Sequence, residues 1–419
     1  MSSNFALMRR LLFICLLLSS LSSVAQSDVR VMCYNVLNFP QGFMPDREDT
    51  LKKIVEYVEP DLLLIQELKS ELGLQMILEE SFADVPGSFA SAEYVSQQSN
   101  QGTSWPLQQG LIYNTDVFGL AEERLKITPV RDINIYKLFF QDQELAMGAD
   151  TTYMYVFVTH LKSSQGDNNE QLRLESAEVF TAELANIPSD SYVLFGGDFN
   201  VYSSNEPAYQ EILANDNAIV MEDPIDAPGS WTSSSYPFKE ILTQSTRVSE
   251  IYGDGAGGGL DDRFDFILCS SNMKDPSSPV RVDIDSYKAL GNNGDCYNLN
   301  ITQCDENNEV PYGILLAMYY MSDHLPVVMD IDLDLTLGQP EIASLPAASI
   351  KWNQQELWIE GNIGNGNIEV YSALGSLVGN FNLPYGQRVL LQGMRPGIYI
   401  VRFRDSENNQ IISEKIYLK

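Results

Sequence analysis

Short aliphatic and aromatic runs separated by turns recur along most of the chain. Residues 29–37, 62–66, 109–113, 153–159, 192–196, 264–269 and 327–333 each read as strands. Between the first two, residues 47–58 set Leu51, Ile54, Val55 and Val58 at helical spacing, and residues 169–184 form a second amphipathic stretch. Many strands with only occasional helices favour an α/β sandwich, two packed sheets with helices outside, over a doubly wound parallel sheet.

The two ends of the chain have a different texture. Arg9 and Arg10 precede the apolar run Leu11 to Leu18, and a serine-rich stretch closes with Ser23-Val24-Ala25, the pattern of a signal peptide over residues 1–25. That run is too short to span a bilayer, and no other segment reaches the length needed, so export of a soluble protein is expected. Residues 336–349 carry two prolines and one glycine and read as a linker between a body, 26–335, and a module, 350–419. In the module Ile368-Glu369-Val370-Tyr371 alternates, Ala373-Leu374-Gly375 turns, and Ile398 to Phe403 and Lys415 to Lys419 are strand-like, the pattern of a small antiparallel β-sandwich.

Composition narrows the function classes. The formal net charge is -31, and loss of the leader with its two arginines makes it more negative. Such a field repels polyanions and argues against passive nucleic-acid binding, but not against an enzyme that meets phosphate esters through divalent cations. No internal repeat supports a structural or adhesion role. Of the five cysteines, Cys15 falls in the leader, and Cys296 and Cys304 flank a short polar loop as a candidate disulfide. Cys33 and Cys269 lie in apolar runs, as buried thiols or a second bridge, and no spacing indicates zinc.

The chain has only two histidines, His160 and His324. Both sit with other polar residues where strands stop or start. Asn35 comes late in the first strand, Glu67 follows Leu-Leu-Leu-Ile-Gln, and His160 follows Tyr-Val-Phe-Val-Thr. Asp198 and Asn200 follow Val-Leu-Phe-Gly-Gly, whose glycines are expected to form a close turn, and Asp323 and His324 precede the last strand of the body. Strand ends and starts meet on one rim of antiparallel pairs. Carboxylates, amides and imidazoles gathered there are costly unless they bind something charged, and oxygen donors of this kind suit Mg2+ or Mn2+.

Six ordered segments then carry a resemblance: Tyr34-Asn35-Val36-Leu37-Asn38, Gln66-Glu67, Thr159-His160-Leu161-Lys162-Ser163, Gly196-Gly197-Asp198-Phe199-Asn200, Arg263-Phe264-Asp265-Phe266-Ile267-Leu268 and Ser322-Asp323-His324-Leu325-Pro326-Val327. Over about residues 28–335 the chain resembles the endonuclease/exonuclease/phosphatase superfamily. The resemblance implies a four-layered α-β-β-α sandwich and divalent-metal hydrolysis of phosphate esters by direct in-line attack of water. It implies that Glu67, with Asn35 and Asp323, serves Mg2+ or Mn2+, with Ca2+ as a further candidate. Asp198 would deal with the attacking water or the developing oxyanion, Asn35 and Asn200 would position metal, water or phosphate, and His324 would act on water or phosphate while Asp265 holds its tautomer. His160 would face the leaving side. Arg263 is a candidate phosphate contact, and Tyr113 is either an aromatic floor for the site or a core residue.

No basic patch appears; Arg131, Lys162 and Arg263 are scattered. The expected activity is that of a secreted endonuclease with nucleic acid as substrate. The alternatives are a phosphatase or phosphodiesterase for small esters or lipid head groups and, more distantly, a non-catalytic surface binding protein. Residues 96–102 and 253–259 are candidate rim loops. The terminal module, through Val370-Tyr371, Leu374-Gly375 and Gly397-Ile398-Tyr399-Ile400-Val401, resembles the C-terminal sorting domain of the type IX secretion system of Bacteroidetes. That implies the type IX machinery as partner and a secreted or cell-surface location for a monomeric protein.

Overall fold

The computed structural model describes residues 27–41, 45–99, 107–141, 151–232, 238–251, 253–304, 307–335, 349–353, 356–360, 365–372, 376–384, 386–391, 393–405 and 411–418. The leader 1–25, all of the linker but Ser349, the turn 373–375 and part of the loop 96–102 lie outside the described residues. The chain separates into two compact units, one ending at Gly338 and the other starting at Gln339. No helix among the described residues is long and apolar enough to cross a membrane.

The first unit holds two six-stranded sheets. Strands β1 (Ser27–Phe39), β2 (Leu62–Leu68), β3 (Phe89–Ser91), β4 (Gln108–Asn114), β11 (Val280–Ala289) and β12 (Val327–Leu333) pair in the order β11-β12-β1-β2-β4-β3. Strands β5 (Phe118–Lys126), β6 (Ile133–Phe140), β7 (Tyr153–His160), β8 (Tyr192–Asp198), β9 (Met221–Glu222) and β10 (Asp265–Ser270) pair in the order β5-β6-β7-β8-β10-β9. Side chains alternate across a pleated strand, so each sheet has two faces to bury. From β1, Val31 and Cys33 join Val156, Val158, Leu194 and Ile267 between the sheets. Met32, Tyr34 and Val36 point the other way, onto Leu51, Ile54 and Val55 of helix α1 (Arg47–Val58) and Met318 of a later helix, Tyr312–Met321.

The outer face of the second sheet is covered in the same manner. Phe157, Phe195 and Phe266 pack with Ala177, Phe180 and Leu184 of the helix Asp167–Leu184 and with Tyr209 and Ile212 of Pro207–Ile212. The result is the expected four-layered α/β sandwich. Each apolar side chain taken wholly from water contributes roughly 1.5–3 kcal/mol, so a charge at Ile54, which is fully buried, would break the contact of α1 with its sheet.

Several elements escaped the sequence pattern, the longest of them for two reasons. Strands β5 and β11 are edge-lying and carry Glu122, Glu123 and Arg124, and Asp283 and Asp285, where an edge is protected by charge rather than by an apolar run. Strand β6 and the helix Tyr312–Met321 are apolar almost throughout, and such a segment shows no period by which to classify it.

The second unit, described by itself, contains a three-stranded sheet (Ser349–Trp352, Glu356–Glu360, Val389–Leu390) and a four-stranded one (Gly366–Ser372, Leu377–Leu383, Gly397–Asp405, Ile411–Leu418), with every strand pair antiparallel. Ile350 and Leu357 from the first share a core with Ile368, Val370, Val401, Phe403 and Ile416 from the second.

Candidate active site

Strand register brings the polar residues together. Parallel pairing of β7 with β8 sets His160 opposite Asp198, and antiparallel pairing of β10 with β8 sets Asp265 opposite the same residue. Directly paired residues share a sheet face, so these three side chains form a row across the end of the second sheet. The first sheet supplies Asn35 from β1 and Glu67 from the end of β2. Glu67 has φ 65°, a left-handed conformation that interrupts the alternation of the strand. Asp323 and His324 arrive on the segment that enters β12.

The two glycines before Asp198 do not make the turn expected of them; both lie inside β8. A methyl group on Gly196 would come 2.6 Å from Leu64 of the facing sheet, so Gly196 sets how closely the sheets approach. Gly197 has φ 155°, and a side chain there would collide with the Thr159 carbonyl next to His160. Both glycines thus serve close approach of backbone rather than reversal of direction.

The hydrogen bonds converge on Asp198 and His324. His324 Nδ1 lies 2.7 Å from Asp265 Oδ2, and its Nε2 is 3.6 Å from Asp198 Oδ2 and 2.6 Å from Gln244 Nε2. Asn35 Nδ2 donates to Glu67 Oε1 and Asp198 Oδ2, both at 3.1 Å, while its Oδ1 accepts from the Leu37 N–H at 3.0 Å. In that orientation Asn35 is a donor bridging two carboxylates. Asn200 Nδ2 donates to Asp198 Oδ1 at 2.7 Å, His160 Nε2 lies 3.3 Å from Asp198 Oδ2, and the Asn38 N–H donates to Glu67 Oε2 at 3.0 Å. Asp323 Oδ2 accepts from Ala256 N–H at 2.7 Å and Gln244 Nε2 at 3.2 Å.

Of these groups Glu67, His160, Asp198, Asn200, Gln244, Asp323 and His324 line a cavity of about 250 Å³, together with Arg131, Tyr202 and Phe264. Burial pushes the Asp198 carboxyl up to about 7, with the neighbouring acids Asp265 and Glu67 adding to the rise and His324 and Arg131 opposing it. Glu67 is raised by burial and then by the charge of Asp323. Burial alone would lower His324, but Asp265, Asp198 and Asp323 outweigh it and hold the imidazole well above its ordinary value. His160 goes the other way, well below its ordinary value, through burial and the positive charges of Arg131 and His324. The two imidazoles are thus pushed in opposite directions, His324 toward the protonated form and His160 toward the neutral one.

The donor set fits a hard divalent cation. Asp323 Oδ1 is buried with no hydrogen-bond partner, and Glu67 and Asp323 repel each other across the cavity rim, a cost that a cation between them removes. Donor atoms of Asp198, Asp265 and His324 also lie within 4.8 Å of one another. There the 2.7 Å contact of Asp265 with His324 accounts for the closeness as a hydrogen bond.

The structure also decides the places of Arg263 and Tyr113. Arg263 is 1% exposed, binds both oxygens of Asp223 (2.7 and 3.0 Å), and stacks 4.2 Å from the Phe266 centroid, so it braces β10 from behind and meets no phosphate. Tyr113 pairs with Leu62, at the opposite end of β2 from Glu67, and packs between the sheets. Of the two rim loops, 253–259 reaches the site through Ala256, whereas Gln98 and Ser99 are tied by their N–H groups to Asp132. Cys296 and Cys304 form a disulfide, and Cys33 and Cys269 are free and buried.

Three residues of the cavity were missed in the sequence. Gln244 has no distinguishing neighbours there. Arg131 was visible as a scattered base, and its signal was its place just before an apolar run. Its Nη1 donates to the Leu161 carbonyl at 2.7 Å and its charge reaches both Glu67 and Asp198. Tyr202 follows the Gly-Asp-Phe-Asn segment by two residues.

No family model matches the chain, and no curated protein does. Among solved structures it is similar to humanized D. rerio TDP2 (17% identity, 73% of this chain and 99% of that one, TM-score 0.45). It is also similar to the human Nocturnin catalytic domain (15%, 73% and 95%, 0.45) and to an endonuclease/exonuclease/phosphatase from Beutenbergia cavernae (12%, 93% and 100%, 0.43).

Proposed function

We propose that the first unit is a divalent-metal-dependent phosphoesterase that hydrolyses phosphodiester bonds, with nucleic acid as the leading substrate. The observation that carries this reading is the meeting of Asp198 with five polar partners from both sheets, Asn35, His160, Asn200, Asp265 across the strand pair, and His324. Glu67 and Asp323 would hold Mg2+ or Mn2+, with Ca2+ as a further candidate, and the cation would neutralise phosphoryl oxygens and polarise the phosphorus for attack.

The protein's own groups divide the remaining work. Asp198, with its carboxyl near neutrality, takes a proton from the attacking water as the water oxygen bonds to phosphorus. Asn35 and Asn200 fix the orientation of Asp198 from either side. The His324 imidazolium, steadied by Asp265, and the Arg131 guanidinium oppose the negative charge that builds on phosphate. The P–O bond to the leaving group breaks, the departing ester oxygen takes a proton from solvent water while Asp198 returns its proton to solvent, and His160, being neutral, offers a hydrogen bond on the way. One water is consumed and no covalent enzyme intermediate forms.

One feature favours the second reading, a small phosphate ester. Arg131 is the one Lys or Arg among the described residues lining the cavity, whereas tight grip on a long polyanion needs several phosphate contacts. Incubating the full chain with Mg2+ or Mn2+ and supercoiled DNA, RNA or bis(p-nitrophenyl) phosphate separates the two. Nicking of DNA that disappears with EDTA and with His324→Ala supports the nuclease; turnover confined to the small diester moves the assignment to that branch. A folded protein that hydrolyses none of them sinks the enzyme reading. The leader and the terminal β unit fit a secreted or cell-surface protein delivered by a type IX route, and fractionation of cells expressing the chain with and without residues 350–419 tests it.

A further inference from the structure

Two aromatic rings line the cavity, and neither has a part in the hydrolytic steps. Phe264 is 3% exposed, whereas Tyr202 is only partly buried. Tyr202 is nonetheless held in one place. Its ring meets Phe264 edge to face at 4.9 Å between centroids, and the Arg173 guanidinium carbon lies 5.7 Å from its centroid. Its backbone N–H donates to Glu206 Oε1 at 2.7 Å and its carbonyl accepts from the Trp231 N–H at 3.2 Å.

Arg173 is the hub of this arrangement. It is fully buried, donates through Nε to Glu206 Oε2 at 2.8 Å, and donates through Nη1 to the carbonyls of Lys162 and Ser164 at 2.8 and 3.0 Å. One guanidinium therefore ties the segment after His160 to the segment after Asn200, and Tyr202 stands at the join, with Ser163 and Ser164 across the cavity wall. The phenol oxygen makes no hydrogen bond among the described residues. Burial, followed by the charge of Asp262, pushes this phenol up to about 12, so it stays neutral.

A ring already immobilised loses little freedom when a ligand stacks on it, and stacking requires no charge on the ligand. We infer that Tyr202 is a specificity-determining residue, a stacking platform for the nucleobase of a nucleoside phosphate whose phosphoryl group occupies the cavity. The inference rests on the phosphoesterase reading and names the part of the substrate that this reading leaves open. Adenosine 5'-monophosphate and ribose 5-phosphate carry the same phosphate and sugar and differ only by the base, so their comparison isolates the platform.

Calorimetric titration of the full chain in Mg2+ with each compound is the test. The wild type should bind adenosine 5'-monophosphate at least about fivefold more tightly than ribose 5-phosphate, the low end of what one stacked base contributes. Tyr202→Ala should erase that advantage while leaving ribose 5-phosphate affinity in place, and Tyr202→Phe should retain it. Equal affinities in the wild type, binding of neither compound, or an advantage that survives Tyr202→Ala overturns the inference. Hydrolysis of bis(p-nitrophenyl) phosphate by the same preparation judges the phosphoesterase reading separately: turnover without base preference removes only the platform, whereas absence of turnover removes the enzyme.

Discussion

His324 and Asp265 meet through Nδ1 and Oδ2 at 2.7 Å, both wholly buried, although one enters the first sheet and the other opens a strand of the second. The carboxylate holds the ring so that Nε2 faces Asp198 and keeps the imidazole protonated. Asp265→Asn preserves the shape and removes the charge. The expected outcome is a kcat lower by roughly 10²–10⁴-fold with a small change in KM, and a His324 pKa that falls, read from the pH profile of kcat and from the imidazole resonances.

Metal binding should be visible without turnover. Glu67 is raised by burial and then by the charge of Asp323, so the ionised pair carries a cost that a cation held by both, as proposed, would relieve. Adding Mg2+ should raise the Tm of the wild type, and EDTA should reverse it. Glu67→Gln should be more stable than the wild type in EDTA and should lose the response to Mg2+. Equal Mg2+ responses in the two proteins would remove Glu67 from the cation site.

His160 predicts an acid limb of stability. Its pKa in the folded protein lies well below the ordinary 6.5, so protons prefer the unfolded chain. Its contribution is complete above pH 6.5 and is lost as pH falls below that value toward the lowered one. Asp198 has the opposite sign, since its raised pKa favours proton uptake by the folded state below about 7. The difference in Tm between wild type and His160→Gln isolates the histidine: the wild type should lose ground relative to the variant from pH 6.5 downward.

The Cys296–Cys304 bridge, spanning a sequence separation of 8, holds a loop that reaches the site indirectly. Asn300 Oδ1 accepts from Val248 N–H at 2.7 Å, Ile301 N–H donates to Thr246 O at 3.0 Å, and the segment so braced carries Ala256 to Asp323. A double Cys→Ser change should cost roughly 2–3 kcal/mol in denaturant unfolding. It should also weaken Mg2+ affinity, because Asp323 loses its clamp. Unchanged affinity would confine the bridge to stability.

The parts legible in the sequence were those with a local cause. Residues 47–58 and 327–333 are the helix and strand read from the sequence, the first because it has one face to bury and the second because Met329, Ile331 and Leu333 alternate with Asp330 and Asp332. The rim residues stood out because polar groups at the ends of apolar runs are conspicuous. Gln244 and Tyr202 were not legible, since what places them is a contact across the fold: Gln244 with His324, and Tyr202 with Arg173 of a helix nearly thirty positions earlier. Arg263 misled for the same reason. A guanidinium beside a catalytic-looking Asp reads as a phosphate ligand until Asp223, distant in sequence, is found holding it.

Gly196, pressed against Leu64, has a reach beyond packing. Asn35, Glu67 and His324 ride on one sheet and Asp198, His160 and Asp265 on the other, so the proposed hydrolysis would depend on the seam between the two sheets. Catalysis is then a vernier for the sandwich: a slip of less than an ångström between the sheets misaligns Asp198 with Asn35 and His324 long before either sheet loses a strand. On warming, turnover should fade ahead of the far-ultraviolet circular dichroism, and a chain with alanine at Gly196 should show the gap at lower temperature while every catalytic side chain is still present.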